Sequence, residues 1–371
     1  MLHQYLFINL FRAGASLWVL IGHCMTWGGW RGIPLPSEKM AVDLFMIISG
    51  FLMAANSQAR SSWEPLDSAR NCSRFWLRRF FRIAPAYYVA LAVAFVSAPA
   101  FVAGYQELQK LPGDAPAFDI AQFTDFSTTN LLLHLSFLFG LGPQACSSTL
   151  LPDWSLSLEM QFYLAFPLIF IVMERFGFAR VAVVLAIPSY LIGNAIFRSM
   201  DFREFSFLPM KLNYFLAGIL LFKCLYSDSE QWKRALACAC AFVLVALGYR
   251  YSSQWVVLPS LLTAMMLFGF LEETGRTPRW VAKAIDSIGV KFASDTSYSV
   301  YLFHGFFISA SGLLIAAWPT VLWRDPLTRT VAILAFTAVG AYAISMLTYR
   351  YIEKPGISAG KALLKRIPPK S

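Results

Sequence analysis

The first apolar segment of the chain contains two ionisable side chains whose spacing could support chemistry inside a membrane. Arg12 and His23 are eleven residues apart in FINLFRAGASLWVLIGHCMTW. In an α-helix this spacing is close to three turns, so both side chains project from nearly one face, about 16 Å apart along the axis. Ionisable groups at membrane depth are expensive and mark functional sites. The pair predicts a polar path, against the alternative of an arginine that reaches lipid phosphate and a histidine satisfied at a helix end.

Two carboxylates are predicted near the surface on which His23 lies. Asp43 begins the second apolar segment, AVDLFMIISGFLM, where an aspartate can also serve as a plain helix cap. Glu159 lies one to two turns inside the segment WSLSLEMQFYLAFPL, where no capping role explains it. Two further histidines lie in apolar sequence. His304 is predicted near mid-depth and His134 at the interface, and neither is assigned a role.

A cluster of arginines in RFWLRRFFRIAPAYY predicts an anion site at the opposite surface. Arg74, Arg78 and Arg82 follow an i, i+4, i+8 spacing, and Arg79 lies three residues before Arg82. Because guanidinium groups bind phosphate through paired hydrogen bonds, this face is suited to a phosphate-rich ligand. A basic stripe lying on anionic lipid is the alternative. Pro85 is predicted to end or kink this element before the third membrane helix.

The composition predicts that lipid surrounds these residues. Charged residues make up 14% of the 371 positions and hydrophobic residues 57%, whereas about 25% of the residues in soluble domains are charged. The net charge of +10 is spread over short segments between apolar runs, which argues against a nucleic-acid-binding surface. The six cysteines form no CxxC pair, so no disulfide framework and no metal site is predicted.

The apolar segments predict an all-α polytopic membrane protein with about ten transmembrane helices, in a single integral-membrane domain over residues 1–371. Basic residues favour the cytoplasmic side, so the arginine-rich loop at 60–82 and the tail after Arg350 place both termini there. Two termini on one side require an even number of crossings, and the short run Asn130–Leu141 is therefore predicted to be re-entrant or interfacial. The predicted spans are Leu6–Trp27, Val42–Ser57, Ile83–Ala103, Trp154–Met173, Val181–Phe197, Phe205–Lys223, Ala235–Tyr249, Trp255–Leu271, Ser297–Trp318 and Leu327–Tyr349.

The order of these motifs resembles a known family. The segments INLFRAGASLWVLIGHC, VDLFMIISGFLM, RRFFRIAPAYY, WSLSLEMQFYLAFPL, SYSVYLFHGFF and YRYIEKPG follow one another across nearly the whole chain. Together they resemble the membrane-bound acyltransferase 3 family, which O-acylates bacterial polysaccharides, lipopolysaccharides, Nod factors and some small metabolites. The chain departs from the family pattern at Leu44–Phe45, where a double Phe is usual, and at Gly14. Neither departure affects a polar position.

The resemblance implies a ten-helix O-acyltransferase of the plasma membrane that takes its acyl group from acyl-CoA, usually acetyl-CoA, on the cytoplasmic side. The acceptor that it implies is a hydroxyl of an exported or cell-surface carbohydrate, or of a lipid-linked glycan, at the outer face. A lipid or small metabolite as acceptor, and a secondary transporter, are the alternatives. The family's polar positions fall on six residues of this chain: Arg12, His23, Asp43, Arg79, Arg82 and Glu159.

Acyl transfer to an alcohol needs a base for the hydroxyl proton, and His23 is predicted to be that base. Its ring would be oriented by a carboxylate such as Asp43 or Glu159. A transient acyl group on His23 is the alternative. The arginine cluster (Arg74, Arg78, Arg79 and Arg82) is predicted to hold the phosphates of CoA. The pantetheine arm would then pass Arg12 towards His23.

Overall fold

The computed structural model describes residues 5–112, 123, 125–227, 230–248 and 254–369, and these residues form helices without β-strands. An all-α polytopic architecture is therefore confirmed. The α-helices, numbered α1 to α13 in chain order, are Leu6–Gly28, Glu38–Gln58, Ala69–Gln109, Thr128–Leu135, Trp154–Phe176, Phe178–Ser199, Leu212–Tyr226, Gln231–Gly248, Val257–Glu273, Arg279–Ile285, Ile288–Ala317, Pro326–Thr348 and Lys354–Lys365.

Eight helical segments within the described ranges are long and apolar enough to cross a membrane. Two shorter helices, α7 with 15 residues and α9 with 17, match the remaining two predicted spans. The predicted end of one span at Tyr249 lies outside the described residues. The segment predicted not to cross, Asn130–Leu141, overlaps the eight-residue helix α4, Thr128–Leu135. At 1.5 Å per residue it is about 12 Å long, much less than the ~30 Å of hydrocarbon.

Helix α3 is longer than the sequence predicted, because the arginine cluster and the third membrane span form one helix of 41 residues. Its first turn is capped by the hydroxyl of Ser68, which accepts a hydrogen bond from the backbone N–H of Asn71 at 3.3 Å. Pro85 and Pro99 both lie inside the helix, so of the two predicted alternatives, an end or a kink at Pro85, the end is wrong. A proline removes one backbone donor, and tertiary packing can override that cost when the rest of the helix is buried against neighbours.

The helices that carry the candidate site residues pack against one another at the centre. α1 packs on α2, α11 and α12, while α3 packs on α11 and α2 on α7. Glycines bring α2 and α7 into backbone contact. A Cβ atom at Gly50 would collide with the carbonyl of Phe215, and one at Gly218 with the carbonyl of Ile47. Small residues at such crossings allow the close packing that replaces the hydrophobic effect within lipid.

Both ends of α1 are held by side chains from distant parts of the chain. At its start, the carboxylate of Glu272 accepts hydrogen bonds from the backbone N–H groups of Leu6 and Phe7, each at 3.0 Å. This contact satisfies donors that a helix N-terminus leaves free and places negative charge at the positive end of its dipole. At the other end, buried Arg329 donates to the carbonyl of Gly28 at 2.8 Å. The helix that carries Arg12 and His23 is thereby fixed along its axis.

Candidate active site

The ring of His23 lies against a second histidine, His304 of α11. Nδ1 of His23 and Nε2 of His304 are 2.7 Å apart, and the two ring planes differ by only 6°. His304 is buried, whereas about a quarter of the His23 side chain (26%) is exposed. The contact with His304 uses Nδ1 of His23 and leaves Nε2 of this partly exposed side chain outside the histidine pair. The sequence did not assign His304 a role, although it lies in one of the family motifs.

The contacts of His304 determine which nitrogen of His23 carries the proton. Nδ1 of His304 lies 3.1 Å from the carbonyl oxygen of Val300 and 2.8 Å from that of Tyr301. A carbonyl can only accept, so we assign the proton of neutral His304 to Nδ1 and the lone pair to Nε2. Nδ1 of His23 must then be the donor between the rings. It follows that Nε2 of neutral His23 is unprotonated, which is the state that a general base or a nucleophile needs.

The carboxylate that faces His23 is Glu38, in the first turn of α2. Its Oε1 atom lies 4.0 Å from Nε2 of His23, and 26% of each side chain is exposed. The prediction that Asp43 or Glu159 orients the ring is corrected here, because His304 holds Nδ1 and Glu38 is the acid near Nε2. The sequence placed Asp43 at the start of a helix. In the structure α2 begins five residues earlier, and Glu38 has that position.

Asp43 instead forms a buried ion pair between α2 and α7. Nζ of Lys211 lies 2.9 Å from each carboxylate oxygen of Asp43, and both residues are buried. The ammonium group also lies over the rings of Phe205 and Tyr214, at 4.8 and 5.2 Å from their centroids. Such cation–π contacts partly replace the lost hydration of the charge. The sequence did not single out Lys211, although it lies within the predicted span Phe205–Lys223, because no spacing connects it with Asp43, 168 positions away.

The Asp43–Lys211 pair gives a prediction that separates a structural role from a catalytic one. Removing one partner of a buried ion pair leaves a charge uncompensated and costs about 3–5 kcal/mol. We therefore expect Asp43→Asn and Lys211→Met each to lower the thermal unfolding temperature of the purified protein strongly. The double variant should recover much of that loss. If the double variant also recovers acyl transfer, the role of Asp43 is structural; if it is stable but inactive, Asp43 takes part in the reaction.

A central cavity of about 930 Å³ of empty space, including its open mouth, brings together four of the predicted site residues. Side chains of α2, among them Met46 and Met53, form its apolar wall. The polar lining comes from α1, α3, α5 and α11 and includes Arg12, Arg79, Arg82 and Glu159. A long ligand with an anionic end and a less polar arm matches this division of the walls.

The polar groups of the cavity are held by specific partners. Arg12 donates to the hydroxyl of Ser297 at 3.2 Å. Glu159 accepts hydrogen bonds from Ser49, at 3.0 Å, and from the hydroxyl of Tyr163. These contacts keep a guanidinium and a carboxylate oriented within a largely apolar region, where an unpaired charge would be costly.

The two arginines of α3 that line the cavity differ in their surroundings. Arg82 forms an ion pair with buried Glu353 at 2.9 Å, and Glu353 also accepts a hydrogen bond from Ser299 at 2.5 Å. The guanidinium of Arg79 instead lies over the rings of Phe75 and Tyr163, with no ion pair among the described residues. Glu353 ends a π-helical turn, Tyr349–Glu353, between α12 and α13. The motif YRYIEKPG was the only signal of it in the sequence.

The other two arginines of the predicted cluster lie where α3 meets the C-terminal helix. Glu64, which is buried, pairs with Arg74 at 3.2 Å and with Arg78 at 2.5 Å. Arg74 also donates to the backbone carbonyls of Leu364, at 2.7 Å, and Ile367. The predicted phosphate site is therefore divided. Arg79 and Arg82 line the central cavity, whereas Arg74 and Arg78 lie at the contact between α3 and α13.

Tyr301 separates the central cavity from the histidine pair. Its side chain lines the cavity, and its ring centroid is 6.2 Å from that of His304. The hydroxyl groups of Tyr301 and Ser155 lie 2.8 Å apart and connect α11 with α5. The structure thus brings Arg12, Glu159 and the two cavity arginines together, and it places His23 beyond Tyr301 rather than in the cavity lining.

His134 takes part in a buried network away from His23. Its two ring nitrogens contact the hydroxyl of Tyr87 at 2.8 Å and that of Ser148 at 2.9 Å. Asp153 lies 3.2 Å from Nδ1. The residue is completely buried within the protein, and its contacts attach α4 to α3 and to the segment before α5.

The chain is similar in sequence to several known proteins. The chain is 24% identical to a peptidoglycan O-acetyltransferase of Listeria monocytogenes over 339 residues, which are 85% of this chain and 51% of that protein. It is 26% identical to a Komagataeibacter xylinus protein named as a membrane-bound transacylase, over 89% of this chain and 78% of the relative. An acyltransferase of Streptomyces mycarofaciens is 32% identical over 35% of this chain and 28% of its own length. No solved structure matches the chain.

The matches differ in how much of each protein they cover. The chain spans about half the length of the Listeria protein. The family match is more extensive. The acyltransferase-domain signature of the acyltransferase 3 family covers residues 5–349, which include every residue described at the histidine pair and all but Glu353 at the cavity arginines. The chain therefore belongs to the membrane-bound acyltransferase 3 family.

Proposed function

We propose that the protein transfers an acyl group, with acetyl as the first candidate, from cytoplasmic acyl-CoA to a hydroxyl of an exported or cell-surface carbohydrate. The observation that carries this proposal is the position of His23, with an unprotonated Nε2, next to an arginine-lined cavity in a chain of an acyltransferase family. The Listeria relative is named a peptidoglycan O-acetyltransferase, which supports a carbohydrate acceptor.

In this mechanism His23 acts as the general base. Its Nε2 atom takes the proton from the acceptor hydroxyl, and the oxygen attacks the thioester carbonyl carbon. The tetrahedral intermediate collapses with cleavage of the C–S bond, and His23 returns the proton to the leaving CoA thiolate. Nδ1 of His23 donates to His304 in both protonation states, so His304 can hold the ring in one orientation throughout.

A covalent route uses the same nitrogen. Nε2 of His23 would attack the thioester first and release CoA, and the acceptor oxygen would then displace His23 from the acyl group. This order of steps would let the acyl group pass Tyr301 after CoA has been released. The two routes differ in whether labelled CoA is exchanged into acetyl-CoA when no acceptor is present.

The polarity of the molecule supports a plasma-membrane location with both termini in the cytoplasm. Arginines and lysines of α3 and α13 gather at one end of the bundle, and the positive-inside bias assigns that end to the cytoplasm. His23 lies near the C-terminal end of α1, on the side of the bundle opposite to these basic residues. The donor would thus bind from the cytoplasm and the acceptor from the outside.

The proposal is tested by a transfer assay together with glycan profiling. Purified protein in liposomes, given acetyl-CoA labelled in the acetyl group and isolated cell-wall or capsular glycans, should place the label in base-labile esters. A strain that lacks the gene should lose the corresponding O-acetyl esters from its surface glycans. If no label is transferred and the ester content of the glycans is unchanged, the proposed function is wrong.

A further inference from the structure

A basic cavity lies at the end of the molecule away from His23, between α3 and α13. It has about 820 Å³ of empty space, including its wide opening to solvent, and five of its lining side chains are cationic: Arg60, Arg74, Arg78, Lys361 and Lys365. We call it the α3–α13 cavity. Its basic residues come from three separate parts of the sequence, so the fold assembles this cationic group.

The charge of the α3–α13 cavity is only partly compensated. Glu64 neutralises part of the charge of Arg74 and Arg78, but its side chain is 0% exposed, so the carboxylate lies behind the guanidinium groups. Lys361 and Lys365 form no ion pair or hydrogen bond within the described ranges. They are four residues apart on α13, a spacing at which like charges destabilise a helix. A bound anion would offset this repulsion.

The α3–α13 cavity adjoins the central cavity through shared residues. A smaller cavity of about 240 Å³ is lined by Arg60 and Arg78, which also line the α3–α13 cavity. It is lined as well by Arg79, which also lines the central cavity. A series of guanidinium groups therefore leads from the basic surface to the central cavity.

We infer that the α3–α13 cavity binds the 3′-phosphate of the CoA nucleotide, while Arg79 and Arg82 bind its diphosphate. This inference rests on the proposed function. CoA has phosphate groups at two places, a diphosphate next to the pantetheine arm and a monoester on the ribose. The divided arginine cluster offers two cationic sites in matching order. An anionic lipid headgroup has similar phosphate chemistry, and the test must distinguish it.

The test compares acetyl-CoA with acetyl-3′-dephospho-CoA as donors for the purified protein. The wild type should prefer acetyl-CoA by about 10- to 100-fold in kcat/KM, because charge-assisted hydrogen bonds to phosphate are lost with the 3′-group. The variant Lys361→Gln/Lys365→Gln should lose most of this preference and keep the wild-type rate with the dephospho donor. Arg279→Gln/Lys283→Gln is the matched control, because these exposed cations of α10 have the same i, i+4 spacing. Its preference should remain that of the wild type.

The remaining outcomes have distinct meanings. Equal use of the two donors by the wild type, or an unchanged preference in the lysine variant, would overturn the inference. A variant that loses activity only in vesicles containing phosphatidylglycerol, with equal loss for both donors, would assign the cavity to a lipid headgroup instead. Absence of transfer from either donor by the wild type would overturn the proposed function as well.

Discussion

Replacing His23 with alanine should lower acyl transfer by a factor of about 10²–10⁴, the usual contribution of a general base, and should leave the protein folded. The reason is that Nε2 of His23 is the accessible, unprotonated nitrogen of the histidine pair, whereas His304 is buried. The measurement is kcat for transfer of labelled acetyl groups by protein in liposomes. The thermal unfolding temperature of the same preparation serves as the folding control.

His304 provides the comparison for this prediction. His304→Ala removes the acceptor that orients Nδ1 of His23, so kcat should fall, but less than in His23→Ala, and the pH–rate profile should shift because both tautomers of His23 become available. His304→Gln retains a side-chain acceptor and should recover part of the rate. Full activity of His23→Ala would exclude His23 from the mechanism.

The two routes through His23 can be separated without an acceptor. If an acyl group is transiently attached to His23, the wild type should exchange labelled CoA into unlabelled acetyl-CoA in the absence of glycan, and His23→Ala should not. If His23 acts only as a base, this exchange should require the acceptor. The rate of CoA exchange without acceptor, compared between the wild type and His23→Ala, therefore decides between the two routes.

Arg79→Gln should raise the KM for acetyl-CoA by about 10- to 100-fold with little change in kcat. Loss of charge-assisted hydrogen bonds to phosphate has an effect of this size. Arg79 is the better of the two cavity arginines to replace. It stacks on Phe75 and Tyr163, whereas removing Arg82 would leave buried Glu353 without its ion-pair partner. KM is measured by donor titration at saturating glycan.

Arg175→Gln is the control for this prediction. Arg175 lies in the last turn of α5 and contacts the ring of Phe176 at 5.5 Å, so it shares the arginine–aromatic stacking but lies outside the cavity lining. Its KM should remain at the wild-type value. If Arg79→Gln also leaves KM unchanged, the arginines of α3 contact lipid headgroups rather than the donor.

The sequence predicted well the features that are determined within a single helix. Apolar segments of sufficient length gave the membrane helices, because lipid requires every span to be apolar and internally hydrogen-bonded. The spacing of Arg12 and His23 correctly placed both on α1, and the spacing of the arginines placed them along one helix. The helix continues through Pro85, so an end at Pro85, one of the two predicted alternatives, does not occur, because packing against neighbouring helices is not contained in single-sequence patterns.

Partners from distant helices could not be predicted in this way. His304 is 281 positions from His23, Lys211 is 168 from Asp43, and Glu353 is 271 from Arg82. No periodicity connects such residues, and only the packing of α1, α2, α3 and α11 with the segments before α7 and after α12 brings them together. This explains why the sequence named plausible acids for His23 but not its actual neighbours.

The π-helical turn at Tyr349–Glu353 sets the rotational phase between the last membrane helix and the amphipathic helix that follows it. Each residue of a helix turns the chain by about 100°, so a turn widened to i→i+5 bonding changes the direction of everything after it. A homologue with one residue fewer at this point would point Lys361 and Lys365 elsewhere on the circumference of α13. The length of this short segment, as much as the identity of its residues, therefore determines whether the C-terminal lysines meet α3.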